Sequence, residues 1–146
     1  MNMLNTTATG QSMGLALVRW GLGLRLLVSG AAKVTDLGGF VNGYILPAFA
    51  KTILPDWMLI PYAYALPVVE LLLGVLLIIG LFRTITLFIS GLTFLSLAFG
   101  QMLLKQHATV LDILLYLGMT SALLCLGGYD RWVLPGAKRP AAKASA

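Results

Sequence analysis

Residues 60–81 read IPYAYALPVVELLLGVLLIIGL, and Glu70 is the only charged side chain among them. About 20 mostly apolar residues suffice for a helix to cross the hydrocarbon core of a bilayer, so this stretch predicts a membrane-spanning helix. The chain of 146 residues is 59% hydrophobic and 10% charged, whereas about 25% charged is usual in soluble domains. Three further apolar blocks predict three more spans, at residues 13–33, 84–104 and 107–126. The sequence therefore predicts an all-α integral membrane four-helix bundle that forms a single domain over residues 1–146.

The connections between the blocks set the topology of this bundle. Very short joins link the second, third and fourth spans, so these helices are predicted to be antiparallel neighbours. Residues 35–59 contain too many Gly, Pro and Asp to span a membrane, yet they are too apolar for a solvated linker. We expect a short interfacial helix there, lying on the membrane or folded back over the bundle. Residues 1–12 predict a frayed lead-in, and residues 131–146 a basic tail.

The basic residues favour one orientation in the membrane. Arg19 lies inside the first block, close enough to one end to snorkel to the surface. Cytoplasmic loops are enriched in Lys and Arg, and the two sides of the predicted bundle differ in these residues: Arg19, Arg83, Arg131, Lys138, Arg139 and Lys143 against Lys33, Lys51 and Lys105. Both termini are therefore predicted to be cytoplasmic, in the inner (cell) membrane of a bacterium or an archaeon.

Two opposite charges lie inside the predicted spans. Charged side chains at the bilayer centre cost about 2.5–3.5 kcal/mol on insertion scales, so they are normally paired and turned inward. At about 1.5 Å of rise per residue, Arg25 on span one and Glu70 on span two come out at the same depth. We therefore predict an Arg25–Glu70 ion pair. Two interpretations stay open: the pair only fixes the helix register, or it takes part in chemistry.

A second group of polar residues is predicted nearer the outer face of the membrane. Asp112 and Tyr116 are four residues apart and share one face of span four. Together with Arg25 and Glu70, this group would line a polar cleft that a quinone head group or a small anion could enter. The alternatives are that His107 is an ordinary interfacial residue and that Asp112 only neutralises Lys33. The candidate catalytic residues are Glu70, Arg25 and Asp112, and the candidate ligand-binding residues are Lys33, His107, Gln101 and Tyr116.

The residue inventory excludes several kinds of site. One histidine and one cysteine, Cys125, cannot build a structural zinc site or a bis-histidine haem site within the chain. A single cysteine also excludes an intrachain disulfide and a CxxC redox pair. The chain has no nucleotide-binding glycine motif, and its basic residues are spread along the sequence. We therefore expect no metal site and no nucleic-acid partner.

Several short motifs follow one another in a defined order. Arg19 opens span one, Ser29-Gly30-Ala31-Ala32-Lys33 ends it, and Glu70-Leu71-Leu72-Leu73-Gly74 lies in span two. Gly80-Leu81-Phe82-Arg83 closes span two, and Gly127, Gly128 and Asp130 follow span four. In the order and spacing of these motifs, from about residue 18 to residue 132, the chain resembles the DoxX/DoxD family of membrane proteins. It departs from a related group, the MauE-like proteins, in lacking paired cysteines.

This resemblance implies a membrane subunit of a redox complex; in the DoxD branch, similar proteins form the membrane subunit of a thiosulfate:quinone oxidoreductase. Quinone would be the cofactor, and the electrons would come from a partner oxidoreductase subunit. Glu70 would handle a proton, Arg25 would be its counter-ion and a donor to a quinone carbonyl, and Asp112 would be the outer proton exit. The alternatives are a structural or assembly protein without chemistry and a small proton-coupled transporter. Homo-oligomerisation and enzymatic activity in this chain both stay open.

Overall fold

The computed structural model describes residues 3–127, and the side chains of residues 9–127. Within this part of the chain all regular structure is helical. Its elements are α1 (Met3–Val34), a π-helix (Gly39–Ile45), α2 (Leu46–Phe49), α3 (Asp56–Ile79), α4 (Arg83–Leu103) and α5 (His107–Cys125). The predicted basic tail at residues 131–146 lies outside the described residues, as do Gly128 and Asp130.

Four helices are long and apolar enough to cross a membrane. The helix α3 alone has 24 residues, which at about 1.5 Å per residue exceeds the roughly 30 Å of a hydrocarbon core. The four segments are Thr9–Val34, Asp56–Ile79, Arg83–Leu103 and His107–Cys125. The prediction of an all-α four-helix membrane bundle is therefore confirmed.

Tight turns reverse the chain between the last three spanning helices. The helix α3 follows Pro55, whose backbone is extended, and it ends at Gly80, which adopts a left-handed conformation with φ of 78°. Gly suits this position because it has no Cβ to clash there. Lys105 has φ of 56° between α4 and α5. Each reversal places the end of one helix beside the start of the next, so the bundle is antiparallel.

The closest helix packing joins α1 to α3 and depends on three glycines. A Cβ atom built on Gly74 would lie 2.6 Å from the backbone nitrogen of Leu27, and one built on Gly30 would lie 2.7 Å from that of Leu71. A Cβ on Gly23 would lie 3.0 Å from the carbonyl oxygen of Gly74. Small residues are enriched where membrane helices approach closely. These contacts therefore fix the register of α1 against α3.

The helix α1 differs from the prediction in two ways. It begins at Met3, so the polar residues before residue 13 belong to the helix; Ser12 is buried, and a hydropathy pattern cannot detect such a polar helical extension. Arg19 does not snorkel to the surface, because its side chain is fully buried. It donates hydrogen bonds to the carbonyl of Leu77 and, at 3.3 Å, to that of Ile78. Carbonyls near a helix C-terminus lack hydrogen-bond donors within the helix, and the Arg19 guanidinium supplies two of these carbonyls with donors.

The connection between α1 and α3 folds back over the bundle. Its π-helix buries Val41, and the short α2 buries Phe49. A Cβ on Gly100 of α4 would lie 3.5 Å from the ring of Phe49, so that ring rests on the C-terminal part of α4. The connection therefore covers the end of the bundle at which α1 and α4 end and α3 and α5 begin.

Candidate functional site

The carboxylate of Glu70 forms a buried ion pair inside the bundle. Glu70 lies on α3 and is 1% exposed. The Nζ atom of Lys33 lies 2.8 Å from its Oε1 and 2.6 Å from its Oε2. The hydroxyl of Ser29, one turn before Lys33 on α1, donates to Oε2 at 3.2 Å. Both carboxylate oxygens therefore bind the ammonium group, as burial of a charge requires.

The predicted Arg25–Glu70 ion pair is wrong, because Lys33 takes that place. A Cβ on Gly30 would meet the backbone of Leu71, so Glu70 lies close to the level of residue 30 on α1. Lys33 is within one helical turn of that level, whereas Arg25 is more than one turn away and faces α5. The guanidinium carbon of Arg25 lies 5.6 Å from the centre of the Tyr116 ring, in a cation–π contact. The alternative in which Asp112 neutralises Lys33 also fails, since Lys33 pairs with Glu70.

A cavity of about 240 Å³ lies beside this ion pair, between α1, α3, α4, α5 and the π-helix. Six of the seven candidate site residues line it: Arg25, Lys33, Glu70, Gln101, Asp112 and Tyr116. The remaining candidate, His107, is exposed at the start of α5 and is not among the lining residues. The predicted cleft is therefore present, and the catalytic and binding roles assigned to these residues stay predictions.

The cavity wall also contains residues that the sequence pattern does not assign to the site, among them one serine and three aromatic residues. Ser29 binds Glu70, and its spacing of four from Lys33 could have indicated this. The ring of Phe40 lies 5.5 Å from Nζ of Lys33, and Tyr44 and Phe94 also line the cavity. The two residues of the π-helix, Phe40 and Tyr44, could not have been assigned by depth, because they belong to the connection that folds back over the bundle.

The charges of the cavity are balanced, since Arg25 and Lys33 oppose Glu70 and Asp112. Lys33 and Glu70 satisfy each other, whereas no carboxylate of the described residues lies within 4 Å of the Arg25 guanidinium. A guanidinium carries five N–H donors, and those of Arg25 are available to a ligand in the cavity. The described residues contain no group of three His, Cys, Asp or Glu side chains that could hold a metal ion. The cavity therefore suits an uncharged molecule with hydrogen-bond acceptors.

A second arginine fixes a helix end away from the cavity. Arg83, at the start of α4, donates to the carbonyl of Leu123 at 2.9 Å and to that of Gly127. It thereby holds the C-terminal end of α5 against the beginning of α4. Arg19 and Arg83 both bind backbone carbonyls at helix C-termini, so their role is to lock helix ends.

Comparison with known proteins identifies one family. A family model described as methylamine utilisation protein MauE matches residues 11–113, which is more than two thirds of the chain and includes every cavity-lining candidate except Tyr116. The resemblance to DoxX/DoxD is therefore wrong, and no model of that family matches. Its motif residues Arg19, Gly30, Gly74 and Arg83 serve helix packing and capping in this chain. The comparisons with curated proteins and with solved structures give no match.

Proposed function

Because the chain belongs to the MauE family of methylamine utilisation proteins, we propose that it is the membrane component of an amine-oxidising system and binds a quinone head group in the polar cavity. A partner oxidoreductase, docked on the membrane protein, would supply the electrons.

The observation that carries the proposal is the cavity with its balanced charges and the available Arg25 guanidinium. A quinone ring is uncharged and has two carbonyl oxygens that accept hydrogen bonds. Arg25 on α1 can donate to one carbonyl, and the amide of Gln101 on α4 can donate to the other. A cavity of about 150 Å³ holds a benzene ring, so about 240 Å³ accommodates a substituted quinone ring. A small anion fits less well, because the cavity has no net positive charge to hold it.

Reduction of a quinone to a quinol takes two electrons and two protons. The partner oxidoreductase would deliver the electrons as it oxidises the amine, and side chains of the cavity would pass protons to the two quinone oxygens. The Lys33–Glu70 pair lines the cavity, with Glu70 buried, and Asp112 is exposed on α5. In this scheme Arg25 orients the ring, Lys33–Glu70 exchanges a proton with it, and Asp112 exchanges protons with the outside. The electrons would pass from the partner directly to the bound quinone.

Binding of a short-chain quinone to the purified protein in detergent tests the proposal. Arg25→Ala removes a charged donor, and such hydrogen bonds contribute about 1.5–3 kcal/mol, so we expect a ten- to hundredfold weaker affinity. Lys51→Ala is the matched control, because Lys51 is an exposed cation outside the cavity. In cells, deletion of the gene should stop methylamine-dependent quinone reduction, and Arg25→Ala should slow it. Unchanged binding in Arg25→Ala together with unchanged quinone reduction after deletion would contradict the proposal.

A proton-coupled transporter is the alternative that the family also admits, with methylammonium as its substrate. The geometry favours it less, because the ammonium group of Lys33 contacts both oxygens of Glu70 and leaves neither free to bind a methylammonium ion. Uptake of labelled methylammonium into vesicles distinguishes the two functions. Uptake that depends on a proton gradient and disappears in Glu70→Gln would replace the quinone proposal with transport.

A further inference from the structure

A second cavity adjoins the polar one and differs from it in character. It has a volume of about 200 Å³ and lies between α2, the N-terminal half of α3 and the C-terminal half of α4. Its inner wall consists of buried apolar residues, among them Leu59, Ala63 and Leu66. We call it the apolar pocket.

The polar atoms at the wall of this pocket satisfy one another. The hydroxyls of Tyr62 and Ser96 lie 2.8 Å apart, and Ser96 also donates to the carbonyl of Thr93 at 2.8 Å. Both hydroxyl groups are therefore engaged within the protein and do not call for a polar ligand. The surface that remains for an occupant is apolar, with Gln101 as the exception.

The apolar pocket and the polar cavity adjoin each other. Ile45, Leu66, Leu97 and Gln101 line both of them, so at most a single layer of side chains lies between the two spaces. At its other end the pocket reaches the outer surface of the bundle, where Phe99 is 52% and Met58 is 42% exposed. In a membrane-spanning bundle that surface faces lipid. The apolar pocket therefore lies between the lipid and the polar chamber.

We infer that the apolar pocket binds the isoprenoid tail of the quinone whose head group occupies the polar cavity, an inference that rests on the proposed function. The two spaces together match a molecule with an uncharged polar ring and a branched hydrocarbon tail. A phospholipid fits worse, because its charged head group would enter a chamber with no net charge of its own. Since about 150 Å³ holds a benzene ring, the pocket accommodates roughly one to two five-carbon units, and the rest of the tail passes Met58 and Phe99 into the lipid.

Photo-crosslinking with the protein in lipid vesicles tests this inference. The probe is a quinone that carries a diazirine on its first isoprenoid unit, and mass spectrometry of the labelled peptides locates the tail. We expect labelling of residues 56–66 and 96–101, the segments that line the pocket. Ala63→Phe fills the pocket from its buried wall and should abolish this labelling. Ala65→Phe is the matched control, since residue 65 is exposed on the same helix and does not line the pocket.

Affinity measurements complete the test. In the wild type, a quinone with one isoprenoid unit should bind about three- to tenfold more tightly than the same ring without a tail, because the tail leaves lipid and gains only packing contacts. Ala63→Phe should remove this preference and leave binding of the tailless ring unchanged. The same measurements on Ala65→Phe correct the affinities for the partition of each quinone into the vesicles, which is the same for both variants. If Ala63→Phe does not fold, Gly100→Leu replaces it as the variant that fills the pocket. A Cβ at Gly100 would meet only the Phe49 ring, at 3.5 Å or more, so this position has room for a side chain.

The possible results separate this inference from the proposed function. If the tailless ring binds but the tail probe labels other segments, or labels Ala63→Phe as strongly as the wild type, the tail site is wrong and the head-group site stands. If the tailless ring does not bind at all, the proposed function fails and this inference fails with it. If a diazirine phospholipid labels the pocket more strongly than the quinone probe, the occupant is a lipid acyl chain and the inference is overturned.

Discussion

Substitution of Gly74 by Ala should destabilise the bundle, although the same change stabilises most helices. The added Cβ would lie 2.6 Å from the backbone nitrogen of Leu27 and 2.8 Å from the carbonyl oxygen of Gly23. Ordinary contact for a Cβ begins at 3.4 Å, so α1 and α3 would have to separate by about 0.8 Å. Both contacts are with backbone atoms, which cannot rotate out of the way as a flexible side chain would.

The size of the effect follows from two opposing terms. Replacing Gly by Ala in a helix gains up to about 1 kcal/mol of intrinsic helix propensity, whereas overpacking a tight contact costs about 1–3 kcal/mol. Separation of α1 from α3 also strains the polar contacts that bridge the two helices. The bonds from Ser29 to Glu70, at 3.2 Å, and from Arg19 to Ile78, at 3.3 Å, are already long. We therefore expect a net loss of about 1–2 kcal/mol.

Thermal unfolding in detergent micelles, followed by circular dichroism, measures this loss. In a chain of this size 1 kcal/mol corresponds to about 2–4 °C, so Gly74→Ala should lower Tm by several degrees. Gly21→Ala is the control, because a Cβ at Gly21 on α1 has no atom within 4 Å; its Tm should stay the same or rise. A Gly74→Ala variant as stable as Gly21→Ala would refute the close packing of α1 on α3.

Three further predictions concern the polar residues. Lys33→Ala leaves the buried carboxylate of Glu70 without its cation and should cost about 3–5 kcal/mol of unfolding free energy; Lys33→Met combined with Glu70→Leu should restore most of it, as denaturation in detergent can check. Arg19→Met removes the donor to the last carbonyls of α3 and should lower Tm. Unlike Arg25→Ala, it should leave the quinone affinity unchanged. His107→Ala should leave quinone affinity and Tm unchanged, because His107 is exposed and outside the cavity; a weakened affinity would show that the cavity boundary is drawn wrongly.

Approximate depth in the membrane predicts most residues of the cavity, but it does not predict the exact register of α1 against α3. Four antiparallel spans bring residues of similar depth together, so Arg25, Glu70, Gln101 and Asp112 line one cavity. Which cation reaches Glu70 depends on the axial register of α1 against α3, and the contacts at Gly23, Gly30 and Gly74 set that register. Hydropathy contains no information on backbone contacts of this kind.

The same limit explains why Arg19 was assigned to the membrane surface. A count of basic residues assumes that each arginine lies at the membrane surface, in contact with water. The buried guanidinium of Arg19 instead finds the carbonyls at the end of α3, which membrane lipid cannot satisfy. Such a role depends on where another helix ends, which is a property of the packed bundle.

The cavity lies on the seam between two helix pairs, and this position bears on how a ligand would act. The most extensive contacts join α1 to α3 and α4 to α5, whereas α3 contacts α4 less and α1 contacts α5 less still. The ion pair between Lys33 and Glu70 lies within the first pair, but the contact of Arg25 with Tyr116 crosses the seam. A head group bound to both Arg25 and Gln101 would likewise connect the two pairs. Ligand binding at the seam would therefore add contacts between the two helix pairs, which the protein's own contacts join only weakly.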